Sequence, residues 1–307
     1  MYFHNRARSS TVCFSSGAHA PLEEKLEENI MILVTTPNGK VGSEVIRQLQ
    51  AQGHKVRVGA HTIEKARAAF PTLEVVHFDF ENPASVRAAL EGVDTLYLAS
   101  PGEMLEGPVN AVVDAAKGAG VKRVVRLSAA GVEYGDSPLR RVELHIEASG
   151  LEHTFLRPSW FMQNYSTLSA DGVRQGTLYE PAAAGQTAFI DARDIASVAV
   201  AALTGDGHNG KAYTLTGPQA LSRDEVAALF SSALKREVKY VAVGDEQLRQ
   251  GMAAADAPQN YVELMSALYG YVRAGATATV TDEVQKVTGR APIHFEQFVQ
   301  DHLETWR

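Results

Sequence analysis

Cysteine is almost absent: Cys13 is the single one among 307 residues, so the chain forms no intrachain disulfide and no multi-cysteine metal site. That usage suits a reducing compartment, and a cytoplasmic location is expected. The ten histidines never fall at His-x-x-x-His spacing beside a carboxylate, so no metal is expected. Apolar runs are short and broken by Gly, Pro or charge, which excludes a membrane-spanning helix. Acidic residues outnumber basic ones, 36 to 29, so no basic surplus draws nucleic acid. What remains is ordinary globular composition, 45% hydrophobic and 21% charged, long enough for about two domains or one α/β domain with a lobe. A small-molecule partner and a monomer or homodimer are expected.

Residues 1–30 differ from the rest. Met1 to Leu22 carries Arg6, Arg8 and many Ser and Thr with no acid, followed by a charged run from Glu23 to Glu28. Either a disordered tail or a targeting segment has this composition. A regular pattern starts at Met31.

From Met31 onward short apolar runs alternate with amphipathic stretches, the signature of a parallel sheet covered by helices on both faces. Strands are predicted at 31–35, 55–60, 73–77, 94–99, 123–128 and 153–158, with helices at 41–52, 63–69, 83–90, 107–118 and 138–149. This is a doubly wound α/β fold: a Rossmann domain over 31–158, with a smaller C-terminal substrate lobe over 159–307. Within the lobe, Phe189-Ile190 and Tyr213-Thr214-Leu215 read as short strands, and 192–203 and 222–235 as helices. Four more helical segments run to Arg307.

The first strand ends in Thr35-Thr36-Pro37-Asn38-Gly39-Lys40-Val41-Gly42, and a helix begins at Ser43. A glycine turn entering a helix offers backbone N–H groups and the positive end of the helix dipole to a pyrophosphate. A plain strand-to-helix turn is the competing reading; its place in a βαβ unit favours the dinucleotide. After the second strand, Val58-Gly59-Ala60-His61-Thr62 has none of the acid that NAD sites use on the ribose. His61 and Lys65 can instead pair with a 2′-phosphate, so NADP(H) is expected ahead of NAD. Asp79 either accepts from the adenine amino group or caps the helix near Pro83.

Together these residues resemble the NmrA-like atypical short-chain dehydrogenases, and within them the flavin-free azoreductase, quinone reductase and triphenylmethane reductase group. The resemblance also rests on Gly92-Val93-Asp94, Lys122-Arg123-Val124-Val125 before Ser128, Ser149 to Pro158, Phe161-Met162-Gln163-Asn164, Ile190 to Ala196, and Leu215-Thr216-Gly217-Pro218. It implies NADP(H) laid along Asn38 to Gly42, His61, Asp79, Phe80, Ser100 and Pro101, with Thr36 in the turn and the nicotinamide facing a cleft roofed by the lobe. Members of the group usually have Gly where Thr36 stands and Arg where His61 stands. They often carry Lys or His four residues ahead of the glutamate matched to Glu143, where this chain has Leu139. The Tyr-x-x-x-Lys pair of ordinary short-chain dehydrogenases is missing, since Tyr134 is followed four residues later by Pro138.

Hydride transfer to a quinone, azo or imine-like acceptor needs chiefly a positioned, water-shielded nicotinamide, because water can protonate the product. Loss of Tyr and Lys therefore argues against carbonyl chemistry, where an alkoxide must be protonated, and leaves a reductase open. Ser128, Tyr134, Arg140 and His145 are candidate proton donors or orienters. Trp160, Phe161 and Tyr165, after the sixth strand, are candidates to stack on a flat acceptor, or else core residues. The alternative function is a non-catalytic NADP(H) sensor of the NmrA type, which Leu139 favours.

Overall fold

The protein is described from a computed structural model covering residues 1, 30–101 and 106–307. The glycine turn follows β1 (Met31–Thr35) and leads into α1 (Gly42–Ala51); then come β2 (Lys55–Ala60), α2 (Ile63–Ala69), β3 (Glu74–His77), α3 (Pro83–Leu90), β4 (Thr95–Leu98) and α4 (Glu106–Gly118). The second half of the sheet is built by β5 (Arg123–Leu127), α5 (Pro138–Ser149) and β6 (Glu152–Pro158). Beyond lie α6 (Ala170–Gln175), β7 (Thr177–Glu180), α7 (Ala192–Thr204), β8 (Lys211–Leu215), α8 (Arg223–Leu234), β9 (Lys239–Ala242), α9 (Asp245–Ala254), α10 (Gln259–Arg273), α11 (Glu283–Thr288) and α12 (Phe295–Asp301).

Helix boundaries follow local chemistry. Pro83 and Pro138 occupy first-turn positions, where a missing N–H costs nothing, and Asn82 and Ser137 cap those helices through Ala84, Ser85 and Arg140 N–H groups. Asn82 thus takes the capping role that the sequence left open for Asp79, whose carboxylate accepts from Glu81 N–H instead.

Strand order is β3-β2-β1-β4-β5-β6-β8, all parallel, with the chain reversing direction of travel between β1 and β4. Alternation along each strand splits the core in two. Ile32, Val34, Val58, Tyr97 and Val125 join α1 and α7 on one face, while Leu33, Leu96, Leu98, Val124 and Phe155 join α3, α4 and α5 on the other. A third, aromatic core gathers residues that follow β6: Tyr165, Phe189, Phe230, Phe295, Phe298 and Trp306.

Two differences from the sequence reading have simple causes. The sheet has seven strands rather than six, because β8 pairs with β6 and α7 covers the sheet, so sheet structure resumes beyond Pro158. Lys211 and Ala212 are exposed at this edge, so β8 lacks the apolar run of an inner strand. The expected Phe189-Ile190 strand is a single bridge from Ile190 to Phe161, and a separate parallel pair, β7 with β9, forms from segments whose Tyr179 and Val241 face solvent. Among the described residues no helix is long and apolar enough to cross a membrane. Cys13 and most of the expected N-terminal tail lie outside the described residues.

Candidate functional site

At the carboxyl end of β1 the chain turns through Thr36 in the left-handed region, φ 51°, and Gly39 N–H donates back to the Thr36 carbonyl at 3.0 Å. A Cβ on Gly42 would lie 2.4 Å from that carbonyl oxygen, so only glycine closes the turn. Beneath it, the buried Thr35 hydroxyl donates to the Ala99 carbonyl at 2.8 Å and ties the turn to the end of β4. Among the described residues no side chain caps α1, as is also true of α2, α6, α10, α11 and α12, whereas α3, α5, α7 and α8 are capped by Asn82, Ser137, Asp191 and Ser222. An uncapped helix start behind exposed Asn38 and Gly39 suits an anionic ligand. Lys40 supplies an ammonium whose pKa burial lowers, and whose one side-chain partner among the described residues is Asn164 Oδ1 at 3.0 Å.

At the end of β2, His61 and Lys65 are exposed, and the His61 ring lies 6.0 Å from that of His77. Asp79 and Phe80 are half-buried at the end of β3, Phe80 edge-on to Phe78. Pro101 is exposed, and the Ser100 hydroxyl receives Arg126 Nη2 at 3.1 Å. Asn38 through Gly42, His61, Asp79, Ser100 and Pro101 thus come from the ends of four different strands on one edge of the sheet, and they fit a dinucleotide crossing the point where strand order reverses.

Further along this edge, α5 faces β5 and β6 across a buried charge cluster. Glu143 is fully buried; Arg157 grips it with two bonds of 3.0 and 2.7 Å, and Arg140 adds one of 2.9 Å. Burial alone would raise its pKa, yet bonds from Arg157 and Arg140 and the nearby Ser128 bring it below the usual glutamate range. Among the described residues the Ser128 hydroxyl itself has no partner of hydrogen-bond geometry. Arg126, equally buried, donates to the Leu98 carbonyl, and burial brings its pKa down to about 10 against the pull of Tyr97 and Glu143.

The proton-donor candidates separate. Ser128 belongs to this cluster, and Arg140 is engaged by Glu143 and Glu147. Tyr134 is 88% exposed on a short turn, and His145 pairs with Asp114 on the outer side of α5. Leu139 is half-buried one turn ahead of Glu143 on the same helix face, toward the carboxyl edge.

Of the three aromatic candidates, Trp160 and Phe161 are half-buried after β6. Trp160 leans on Tyr269 at 5.0 Å, with the Arg223 guanidinium 5.7 Å from its ring. Tyr165 is corrected: at 2% exposure, ringed by Phe189, Phe230 and Phe295, it is a core residue of the lobe with no face free for an acceptor. Helical spacing cannot separate these two uses of an aromatic residue. The buried Arg126 was missed by the sequence reading, though a charged residue inside the Val124 to Leu127 apolar run was a signal.

A parallel sheet with a glycine turn at its switch point and helices on both faces defines a dinucleotide-binding α/β protein. Residues 28–298 match the NmrA-like family. The NAD(P)H azoreductase of Xenophilus azovorans is 38% identical over 283 residues, covering 89% of this chain and 98% of that protein. Agroclavine dehydrogenase of Claviceps fusiformis is 34% identical over 286 residues, covering 90% and 98%. Among solved structures, triphenylmethane reductase of Citrobacter sp. complexed with NADP(H) superposes with a TM-score of 0.78 at 26% identity, covering 89% of this chain and 99% of that one. The chain belongs to the NmrA-like family.

Proposed function

We propose that this chain is an NAD(P)H-dependent reductase that passes hydride, without flavin, to a small quinone-, azo- or imine-like acceptor. The observation that carries this reading is the charge cluster beside the expected nicotinamide position. Its ionisable groups are locked in ion pairs, Glu143 held anionic and Arg140 and Arg157 held cationic. None of them releases a proton near neutral pH, and Ser128 is only a weak acid. Such a site suits acceptors that chiefly need a positioned hydride, with water completing protonation. The relatives named as azoreductase, dehydrogenase and dye reductase support the same class.

NADP(H) is the cofactor this reading assigns, and the donor set fits it: an uncapped helix start, the Lys40 ammonium, and no carboxylate among the residues that close β2. Bound there, it supplies the hydride. The chain's residues hold its diphosphate at Asn38 to Gly42, its 2′-phosphate at His61 and Lys65, and its adenine near Asp79 and Phe80. Trp160 and Phe161 shield the acceptor. Oxidation of NADPH, followed by its absorbance against quinones, azo dyes and triphenylmethane dyes, tests the proposal. Turnover with at least one class is expected, with NADPH bound more tightly than NADH. Leu139, where the group often has a cationic or basic residue, favours the sensor reading. NADPH binding with no turnover on any acceptor would establish that reading instead.

A further inference from the structure

The glycine turn and the segment after β6 face each other across one cavity of about 380 Å³, lined by Lys40 and Ser43 on one side and Gln163, Ser166 and Thr167 on the other. Three cations border it, and two are already neutralised: Arg47 by Glu44, and Arg193 by Asp191 and Asp301. Lys40 has no carboxylate within ion-pair distance among the described residues; its ammonium meets one neutral amide oxygen, on Asn164. An ammonium carries three donors, so two remain for an anion. Half-burying a cation with so little compensation is unfavourable unless a ligand completes its shell.

Asn164 is itself well placed to transmit what Lys40 feels. It closes the short helical turn Met162–Asn164, its N–H donating to the Phe161 carbonyl and its own carbonyl accepting from Thr167 and Ser169. One residue earlier, Gln163 is fixed to the start of α7, accepting from Ala192 N–H and donating to Asp191. Phe161, at the head of the turn, bridges to Ile190.

We propose that Lys40 is a positioning residue that bridges the cofactor's diphosphate to Asn164, so that dinucleotide binding orders the Trp160 to Ser169 wall of the acceptor cleft. The bridge rests on the diphosphate lying over the glycine turn, as in the function proposed above. Its consequence is coupling: the wall, already tied to α7 and Ile190, is firmer when a dinucleotide is present, and the acceptor is then bound after the cofactor.

NADP⁺ serves as the probe, with binding measured by calorimetry and the amides of residues 160–169 followed by hydrogen exchange in the full chain. In the unaltered protein NADP⁺ should bind and slow exchange across this segment. Lys40→Met should weaken NADP⁺ by about tenfold, the size of one charge-assisted bond, and abolish the protection. Asn164→Leu should abolish the protection with a smaller loss of affinity, and Lys40→Arg should recover part of both. Protection that persists in Lys40→Met or Asn164→Leu, or unchanged affinity in Lys40→Met, overturns the bridge. No binding by the unaltered protein would instead overturn the cofactor assignment on which it rests.

Discussion

Two carboxylates are buried on opposite faces of the same sheet, and their proton affinities move in opposite directions. Glu143, on the α5 face, is held below the usual range by close bonds from Arg157 and Arg140. Asp194, on the α7 face, is pushed up to about 6 by burial, because among the described residues it receives the Ile293 N–H at 2.7 Å and a looser Arg290 guanidinium at 3.4 Å. Burial is equal and complete for both side chains. What differs is the number and closeness of the donors that replace water, with the nearby Asp191 carboxylate adding repulsion at Asp194.

The strongest way to break this contrast is to remove one arginine from each carboxylate. Arg157→Met leaves the buried Glu143 carboxylate with Arg140 as its one arginine partner among the described residues, and should cost about 3 kcal/mol in denaturant unfolding. Arg290→Met should cost only about 1 kcal/mol, since its guanidinium is distant and half-exposed. Equal losses would show that the two faces do not differ as described.

Catalysis sharpens the comparison on the α5 face. Leu139→His places an ionisable group one turn ahead of Glu143, where it can serve as a proton donor. Turnover on acceptors that must be protonated should rise by up to about 10²-fold, with easily reduced quinones little changed. A uniform change across acceptors would show that this helix face does not meet the reacting end of the cofactor.

pH separates the carboxylates without changing any contact. Asp194 binds its proton more tightly when folded, so its contribution is most favourable below the ordinary aspartate range and declines as pH rises to about 6. Glu143 has the opposite sign: its contribution is present above the ordinary glutamate range and is lost as pH falls through its lowered folded value. Asp194→Asn should therefore flatten the stability profile between about pH 4 and 6, and Glu143→Gln should flatten only the acid limb. Unfolding midpoints measured from pH 3 to 8 decide it.

The smallest effect belongs to the turn on the α1 face. Thr36→Gly relieves a β-branched residue at φ 51°, and should raise stability by about 0.5–1 kcal/mol after the added chain entropy of glycine. A melting temperature that falls would show the Thr36 side chain to be a net stabiliser.

Thr36 also marks how much of the site was legible in sequence. A non-glycine residue inside a glycine turn was visible as a departure, and the structure gives it a positive φ. The helix starts at Pro83 and Pro138 were legible because helix entry is local chemistry, whereas the cap left open for Asp79 falls to Asn82. The fate of Tyr165 was not legible, since helical spacing is the same for a stacking platform and a packed core.

The parallel α/β layout and the glycine turn were legible in sequence, because strand alternation, helix periodicity and backbone freedom depend on near neighbours. The sequence also marked Lys40, Glu143 and Leu139 as residues to weigh. Three facts came with the folded chain alone: β8 joins the sheet edge, Arg157, at a sequence distance of 14, grips Glu143, and Lys40 reaches Asn164 across 124 positions. Those facts depend on which surfaces exclude water together, and no local pattern records that.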